Sequence, residues 1–401
     1  MLCCGLAEFE PQLSGLLVDR SGASSRKITE CPVFDALRRP SSVATSSAAS
    51  TSGSDPHPST ALSADVLIRV PGVPDRSEPP LGAGLIGDEL GGHSPNMTLI
   101  TLLGFQGVGR YNSVCFSILL LVYSFILLSD LVVLYVICSQ SSLHHQPMFI
   151  FIAALLLNSL VGSSTILPKL LVDLLSASEP TISLSMCILQ AFVIYFIGAS
   201  GFTLLSLMAY DRYVSICRPL QYHTLITMAR VRVMLVGAWL APGCLIGGAT
   251  LLTSRVPLCR LGMERMYCNI YSLAKLGCGD ILLSNVYGML GVFLTVYQPS
   301  LFVFYSYTRI LAVCMKSSRV FIGKALQTCL PHLLVFINYF ITTSYEIIGS
   351  RTEADPRSMA PTLVSLLVII IPTMCNPIIY GLKMKDISRQ IKRLHRLQNT
   401  H

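Results

Sequence analysis

Seven blocks of consecutive apolar residues constrain this chain more than any other feature of its sequence. Each block reaches the roughly 20 residues with which an α-helix crosses the hydrocarbon core of a bilayer. The blocks are continuously apolar and do not alternate every second residue, which excludes the strands of a membrane β-barrel. Because lipid offers no partner to unpaired backbone groups, helices remain. The predicted spans are residues 114–138, 148–171, 186–210, 233–252, 281–313, 320–347 and 359–382.

The overall composition supports this interpretation. Mean hydropathy is +0.62, and charged residues make up 12% of the chain, whereas about a quarter is usual in soluble domains. We therefore predict an all-α membrane protein, a seven-transmembrane helix bundle with a short amphipathic cytoplasmic helix after the seventh span. The bundle domain is expected to cover residues 114–384, and the cytoplasmic helix and tail residues 385–401.

Basic residues near the ends of the spans predict the orientation, because positively charged loops stay in the cytoplasm. One side carries the larger group: Arg212, Arg218, Arg230, Arg232, Arg309, Lys316, Arg319, Lys324, Lys383, Lys385, Arg389, Lys392, Arg393 and Arg396. That side is predicted to be cytoplasmic, with the amino terminus extracellular and the protein in the plasma membrane. The asymmetry also explains the net charge of +8, which therefore does not indicate a nucleic-acid partner.

The first 95 residues differ in kind from the rest of the chain. They are rich in Ser, Pro, Gly and Ala, and a run such as SSVATSSAASTSGSDPHPST cannot build a core. We predict a disordered extension over residues 1–95 and an extracellular segment over residues 96–113. The start, MLCCGLAEFEPQLSG, lacks the apolar stretch of a secretory signal, so the first span is expected to serve as the signal anchor. Asn96-Met97-Thr98 is a glycosylation sequon on the predicted external side.

Four cysteines lie on that external side. Cys187 is at the top of the third span, and Cys259, Cys268 and Cys278 are in the loop between the fourth and fifth spans. An even set of cysteines in an oxidising compartment favours two disulfides over free thiols, and three pairings are possible.

Two polar motifs mark the inner ends of spans. The third ends in MAYDRYVSICRPLQY, residues 208–222, where an Asp-Arg pair at the membrane boundary is costly unless the charges satisfy one another or serve a partner. A simple positive anchor is the alternative. The seventh ends in PTMCNPIIYGLKMK, residues 372–385, where Asn376-Pro377 leaves backbone carbonyls unpaired and introduces a kink that can act as a hinge.

Together with SYTRIL at 306–311, KALQTCLPHL at 324–333 and HQPMF at 145–149, these motifs resemble the odorant receptors of the rhodopsin-like G-protein-coupled receptor superfamily. The resemblance covers roughly residues 96–397, and KALQTCLPHL is similar to the fish branch. It implies a receptor that binds a small odorant in the outer half of the bundle. Binding would activate a heterotrimeric G protein, of the Gs or olfactory type, and raise cAMP. It implies no enzymatic activity, cofactor or metal.

The resemblance further implies disulfides Cys187–Cys268 and Cys259–Cys278. It assigns G-protein coupling and activation to the inner ends of helices three, six and seven: Asp211, Arg212, Tyr213, Lys324, His332, Asn376, Pro377 and Tyr380. Asp211 would hold Arg212 at rest, Tyr380 would swing inward on activation, and helix six would move outward to open a groove. A ligand can bias such a two-state element only by binding the open state more tightly.

The predicted ligand pocket follows from the registers of helices three and six. The residues expected to face it are Ile194, Tyr195, Gly198, Ala199, Tyr339, Phe340 and Thr343. An apolar pocket with a few hydroxyls suits small organic odorants, although the same residue types also pack helices together. Residues 359–382 contain no lysine for a covalent retinal, and Ile194 stands where an amine receptor would want a carboxylate.

Asp130 departs from the family pattern. Relatives usually carry Asn in the middle of helix one and Asp in the middle of helix two, whereas this chain has Asp130 and Ser159 there, with Asn158 adjacent. An acid at mid-membrane is costly and usually functional, but burial can also keep it protonated. Two interpretations stay open: a neutral structural group, or a charged carboxylate sharing a cation or water network with Asn158 and Asn376.

Three other functions are weighed against an odorant receptor. A secondary transporter predicts internal repeats and midplane charges, but the sequence has no repeated half and few buried charges. A membrane enzyme predicts a catalytic cluster, whereas the histidines, among them His144, His145, His223 and His332, are expected to be interfacial. A chemosensory receptor used outside the nose cannot be separated from an olfactory one by sequence.

Overall fold

A computed structural model describes residues 99–105, 111–140, 143, 145–176, 178–279, 281–316, 318–349, 351, 360–383 and 387–389. Within these ranges the chain forms seven long helices: α1 Asn112–Ser139, α2 Pro147–Leu175, α3 Leu184–Cys217, α4 Met228–Ser254, α5 Leu282–Met315, α6 Arg319–Gly349 and α7 Ala360–Lys383. Six of them, α1 to α6, are long and apolar enough to cross a membrane. The seventh has 24 residues and packs against α6, α1 and α2. The predicted all-α membrane bundle is confirmed.

Helix α2 lies at the centre of one half of the bundle, between α1, α3, α4 and α7. Its apolar side chains are buried almost all round, as expected for a helix without a polar face. Helix α1 is the most peripheral, and its exposed Val114, Ile118 and Leu121 form an outward apolar surface. In a membrane protein such a surface faces lipid.

Helix α3 runs seven residues beyond its predicted end at Tyr210, to Cys217. The extension carries the Asp211-Arg212 pair inside the helix, where the two charges satisfy one another. Helix α5 contains a π-helical segment, Phe293–Tyr297, which ends two residues before Pro299. The Gln298 N–H closes the wider turn by donating to the Phe293 carbonyl.

One end of the bundle carries a small sheet that the sequence did not predict. Strand β1, Leu99–Leu102, pairs antiparallel with β2, Thr181–Ser183, and parallel with β3, Gly262–Met263. Strands of two to four residues are too short for an alternating pattern to be recognised. Ile100 and Leu102 of β1 are buried beneath the loops. We call this end of the bundle the cap end and the opposite end, where Arg212 lies, the Arg212 end.

Several predictions fall outside the described residues: the extension at 1–95, the sequon at Asn96, the side chain of Lys324 and most of the tail. Of the predicted cytoplasmic helix at 385–401, residues 387–389 are described and are helical.

Candidate functional site

A cavity of about 230 Å³ opens among α2 to α7 and the loop that carries Cys268. Its wall is mainly apolar, with hydroxyls from α3, α5, α6 and the loop. Six of the seven residues predicted to face a pocket line it: Ile194, Tyr195, Gly198, Ala199, Tyr339 and Thr343. The facing surfaces of α3 and α6 thus meet at one cavity.

Phe340 is the exception, because it does not line the cavity. Its ring lies 5.7 Å from Phe304 of α5 in an edge-on contact and 6.0 Å from Phe336 in a stacked one. Adjacent helical residues point about 100° apart, so turning Tyr339 into the cavity turns Phe340 toward α5. The structure assigns Phe340 to the α5–α6 packing surface.

The loop between α4 and α5 contributes residues that register reasoning missed. Tyr267, Asn269 and Tyr271 line the cavity from this loop. The sequence contained a signal for this, because a disulfide between Cys268 and Cys187 would draw the residues around Cys268 over the bundle. Helical registers alone say nothing about a loop's path.

Two disulfides hold that loop. Cys187 at the start of α3 bonds to Cys268 with a Cα–Cα distance of 5.3 Å, and Cys259 bonds to Cys278 with a Cα–Cα distance of 5.4 Å. Both pairs are the ones that the family resemblance implied. Gln190 on α3 accepts a 3.0 Å hydrogen bond from the Cys268 N–H, which fixes the loop at the same point.

A polar cluster ties the loop to the cap end of α6. Tyr267 donates a 3.1 Å hydrogen bond to Glu346 Oε1, and Arg265 Nη1 lies 3.6 Å from the same oxygen. Arg265 Nη2 also donates to the Gly349 carbonyl at 3.4 Å. Burial and the neighbouring Glu346 raise the pKa of Tyr267, so the phenol stays protonated and acts as donor. Glu346 is thus engaged by two loop residues.

At the Arg212 end, Asp211 holds the arginine. Arg212 donates to Asp211 Oδ2 through Nη2 and, at 3.1 Å, through Nε, while Tyr222 donates to Asp211 Oδ1 at 2.8 Å. The carboxylate is fully buried and the Arg212 side chain is 15% exposed. Burial and Asp211 raise the pKa of Tyr222, which keeps the phenol neutral. Tyr222 was missed because a single loop tyrosine carries no distinctive signal.

His332 on α6 connects three helices. Its Nε2 lies 2.9 Å from the Leu205 carbonyl of α3, and its Nδ1 lies 2.5 Å from the hydroxyl of Tyr307 on α5. A carbonyl only accepts, so Nε2 carries the proton and Nδ1 accepts from Tyr307. The ring is fully buried, and the expectation of an interfacial His332 is wrong. Because both ring nitrogens have hydrogen-bond partners, the free-energy cost of burying the ring is offset.

The remaining predicted activation residues lie along α7 and the neighbouring helices. Tyr380 is fully buried, with its hydroxyl 4.0 Å from Met208 Sδ. It already occupies the bundle interior in this structure, so the expected inward swing is not needed to bury it. Pro377 is inside α7, and Tyr213 is half-buried against the core at the Arg212 end.

Asp130, Asn158 and Asn376 are buried on α1, α2 and α7. The amide of Asn158 donates to the Ile197 carbonyl at 2.7 Å, and the amide of Asn376 donates to the Tyr339 hydroxyl at 3.2 Å. Among the residues that the structure describes, both carboxyl oxygens of Asp130 and the Oδ1 atoms of both asparagines lack a hydrogen-bond partner. Leaving buried acceptors without donors costs free energy. These oxygens therefore need a proton, a water molecule or a cation as an additional partner.

The chain matches known proteins over most of its length. A family model described as "Olfactory receptor" matches residues 119–397. The chain is 31% identical to Olfactory receptor 51E1 of Homo sapiens over 307 residues, which cover 76% of this chain and 95% of that receptor. It is 32% identical to Olfactory receptor 4B13 of Mus musculus over 301 residues, 74% of this chain and 96% of the relative. Its similarity to the fish branch stays a prediction.

Proposed function

Since the chain belongs to the olfactory receptor family of rhodopsin-like G-protein-coupled receptors, we propose that it binds a small odorant in the cavity and activates a heterotrimeric G protein at the Arg212 end. The cap end is then extracellular and the Arg212 end cytoplasmic, in the plasma membrane. The G protein is of the Gs or olfactory type, and cAMP is the product of signalling. One observation supports the proposal most strongly. Helix α6 lines the cavity through Tyr339 and Thr343, and the same helix carries His332.

The cavity and the His332 hydrogen bonds are close enough to be coupled through α6. Tyr339, which lines the cavity, is seven residues from His332 along α6, about 10 Å at the helical rise. A ligand that shifts α6 at Tyr339 and Thr343 therefore strains the His332 bonds to α3 and α5. Release of α6 would open the surface around Arg212 to the G protein.

The resting state is held by contacts that the coupled state must break. Asp211 occupies the Arg212 guanidinium, and Tyr222 completes the hydrogen bonds of Asp211. Charge-assisted bonds of this kind are about twice as strong as neutral ones. The ligand must bind the open state tightly enough to offset them.

Arg212→Ala tests the proposal. We expect the variant to reach the cell surface normally and to lose odorant-stimulated nucleotide exchange by roughly tenfold or more, because the cation offered to the partner is gone. Exchange is measured on a Gs-type G protein in membranes, with an odorant that activates the unaltered receptor. Arg218→Ala is the matched control, since Arg218 is an exposed cation just after α3. Normal exchange from Arg212→Ala would contradict the assigned role.

A chemosensory receptor acting outside the nose would use the same cavity and the same coupling surface. Localisation of the transcript to olfactory sensory neurons, or to another tissue, distinguishes the two.

A further inference from the structure

Two cations share one aromatic ring at the mouth of the cavity. The Lys275 ammonium lies 5.1 Å from the centroid of the Tyr271 ring, and the Arg351 guanidinium lies 5.0 Å from it. Tyr271 and Arg351 both line the cavity. Cation–π contact accounts for the position of each group, but two like charges over one ring also repel each other.

Within the described part of the chain, neither cation has a carboxylate partner. Among the described residues, the ion pairs are Lys169–Asp173, Arg212–Asp211 and Arg265–Glu346. Glu346 lines the cavity, but Arg265 and Tyr267 already bind it. A cationic ligand would have to displace Arg265 from Glu346, whereas an anionic ligand meets two cations that form no ion pair with any described carboxylate.

The charges are at the solvent end of the cavity, and the apolar wall is beyond them. Lys275 and Arg351 are exposed, so an anion bound between them keeps part of its hydration. The deeper wall includes Ile194, Gly198 and Ala249, where buried apolar surface provides the binding free energy. This arrangement suits a molecule with a charged head and an apolar tail.

We propose that the natural ligand is an amphipathic organic monoanion, an inference that rests on the proposed receptor function. Its head is bound by Lys275 and Arg351 beside Tyr271, and its tail fills the apolar cavity. The guanidinium offers paired N–H donors that match the oxygens of a carboxylate or a sulfonate. A carboxylate head and a sulfonate head both accept such paired hydrogen bonds, and the experiment below distinguishes between them.

The test compares straight-chain carboxylates with sulfonates, methyl esters and alcohols of the same chain length. Two readouts are used: the thermal stability of the purified receptor, which needs no G protein, and nucleotide exchange in membranes. We expect a carboxylate or a sulfonate to stabilise and activate the receptor at concentrations at which the matched ester and alcohol do neither.

Variants then locate the head. Arg351→Gln is expected to raise the half-maximal concentration of the active anion about tenfold, and Lys275→Gln about threefold, as charge-assisted contacts are lost. Arg260→Gln removes an exposed cation from the same loop outside the cavity wall and should change nothing. The thermal stability of the ligand-free Arg351→Gln protein should equal that of the unaltered receptor, which separates lost binding from misfolding.

The outcomes distinguish the two proposals. Activation by esters or alcohols, with anions inactive, would overturn the anion site and leave the odorant-receptor function standing. Anions that stabilise the purified receptor without promoting exchange would support the site and contradict the coupling. An equal response of Arg351→Gln and the unaltered protein to the active anion would also overturn the site.

Discussion

At the scale of single residues, two buried aspartates show how far surroundings decide the role of a side chain. Asp211 accepts hydrogen bonds from Arg212 and Tyr222, so both of its carboxylate oxygens have donors within the protein. Asp130 is equally buried, but neither of its carboxyl oxygens has a hydrogen-bond partner in the described part of the chain. A buried acid in that position must be protonated, or it must share a cation or water with its neighbours. We propose the second, with the Oδ1 atoms of Asn158 and Asn376 completing the set.

Asp130→Asn tests this network with a change of one atom. The variant keeps the shape of the side chain and removes the negative charge, so it should raise or lower agonist-free nucleotide exchange and abolish any dependence of the agonist response on sodium. Exchange is measured in sodium and in choline buffers of equal ionic strength. Ser163→Ala, at a buried polar residue of α2 outside the proposed network, is the control. Identical activity and salt dependence in Asp130→Asn would leave only the neutral, structural role.

At the scale of whole elements, one side chain of α6 is hydrogen-bonded to both α3 and α5. His332 donates to Leu205 and accepts from Tyr307, and its ring stacks on Tyr307 at 5.7 Å. Pro331 precedes it inside the helix, where the missing N–H weakens the local ladder. Outward movement of α6 has to break both bonds. We therefore expect His332 to contribute to the resting position of α6.

His332→Leu should raise agonist-free nucleotide exchange by up to roughly thirtyfold, because the loss of two hydrogen bonds of about 1 kcal/mol each shifts the equilibrium toward the open state by that factor. Tyr307→Phe keeps the bond between α3 and α6 and should raise basal exchange less. The measurement is nucleotide exchange in membranes without odorant, normalised to surface expression. Unchanged basal exchange in His332→Leu would show that the histidine does not restrain α6.

The loop over the cavity is a second element held at few points. We expect Cys187→Ser and Cys268→Ser each to reduce surface expression strongly, since losing a native disulfide commonly costs about 2–5 kcal/mol. The double variant should be no worse than either single one, because the same bond is lost. Cys244→Ser, at an exposed free cysteine of α4, should be neutral. Additive losses in the double variant would show that the two cysteines have different partners.

At the scale of the whole molecule, the described chain begins with a strand that belongs to the bundle. Ile100 and Leu102 of β1 are buried beside Cys187, Cys268 and Met263. At Gly104 an added Cβ would lie 2.5 Å from the backbone carbon of Arg265, a distance that only glycine permits. The segment from Leu99 to Phe105 thus packs closely against the loop that covers the cavity.

Deleting residues 1–95 should leave surface expression and odorant response intact, because their composition cannot bury enough apolar area to offset the entropy of ordering. About three quarters of the chain matches 95% of Olfactory receptor 51E1, which agrees with this expectation. In the truncated form, Ile100→Asp retains the sequon and should reduce surface expression, since it places a charge in the core at the cap end. Flow cytometry on intact cells measures both. Loss of surface expression in the simple truncation would contradict the prediction.

The sequence by itself determined that the chain lies in a lipid bilayer, that it forms helices, and which polar motifs stand at their inner ends. Apolar blocks of spanning length leave a chain in lipid no alternative to helices, and motifs such as Asp211-Arg212-Tyr213 are local enough to be read in one stretch. Both properties depend on residues near one another in the chain, which is why they could be predicted.

Only the tertiary structure decided which side chains meet. Tyr222 completes Asp211, and Phe340 turns to α5 while Tyr339 faces the cavity. The Tyr271 ring contacts both Lys275 and Arg351. These contacts depend on the rotation of each helix about its axis and on the path of a loop held by disulfides. A difference of one residue in helical position is about 100° of rotation, so an apolar pattern that identifies a span does not say what that span touches.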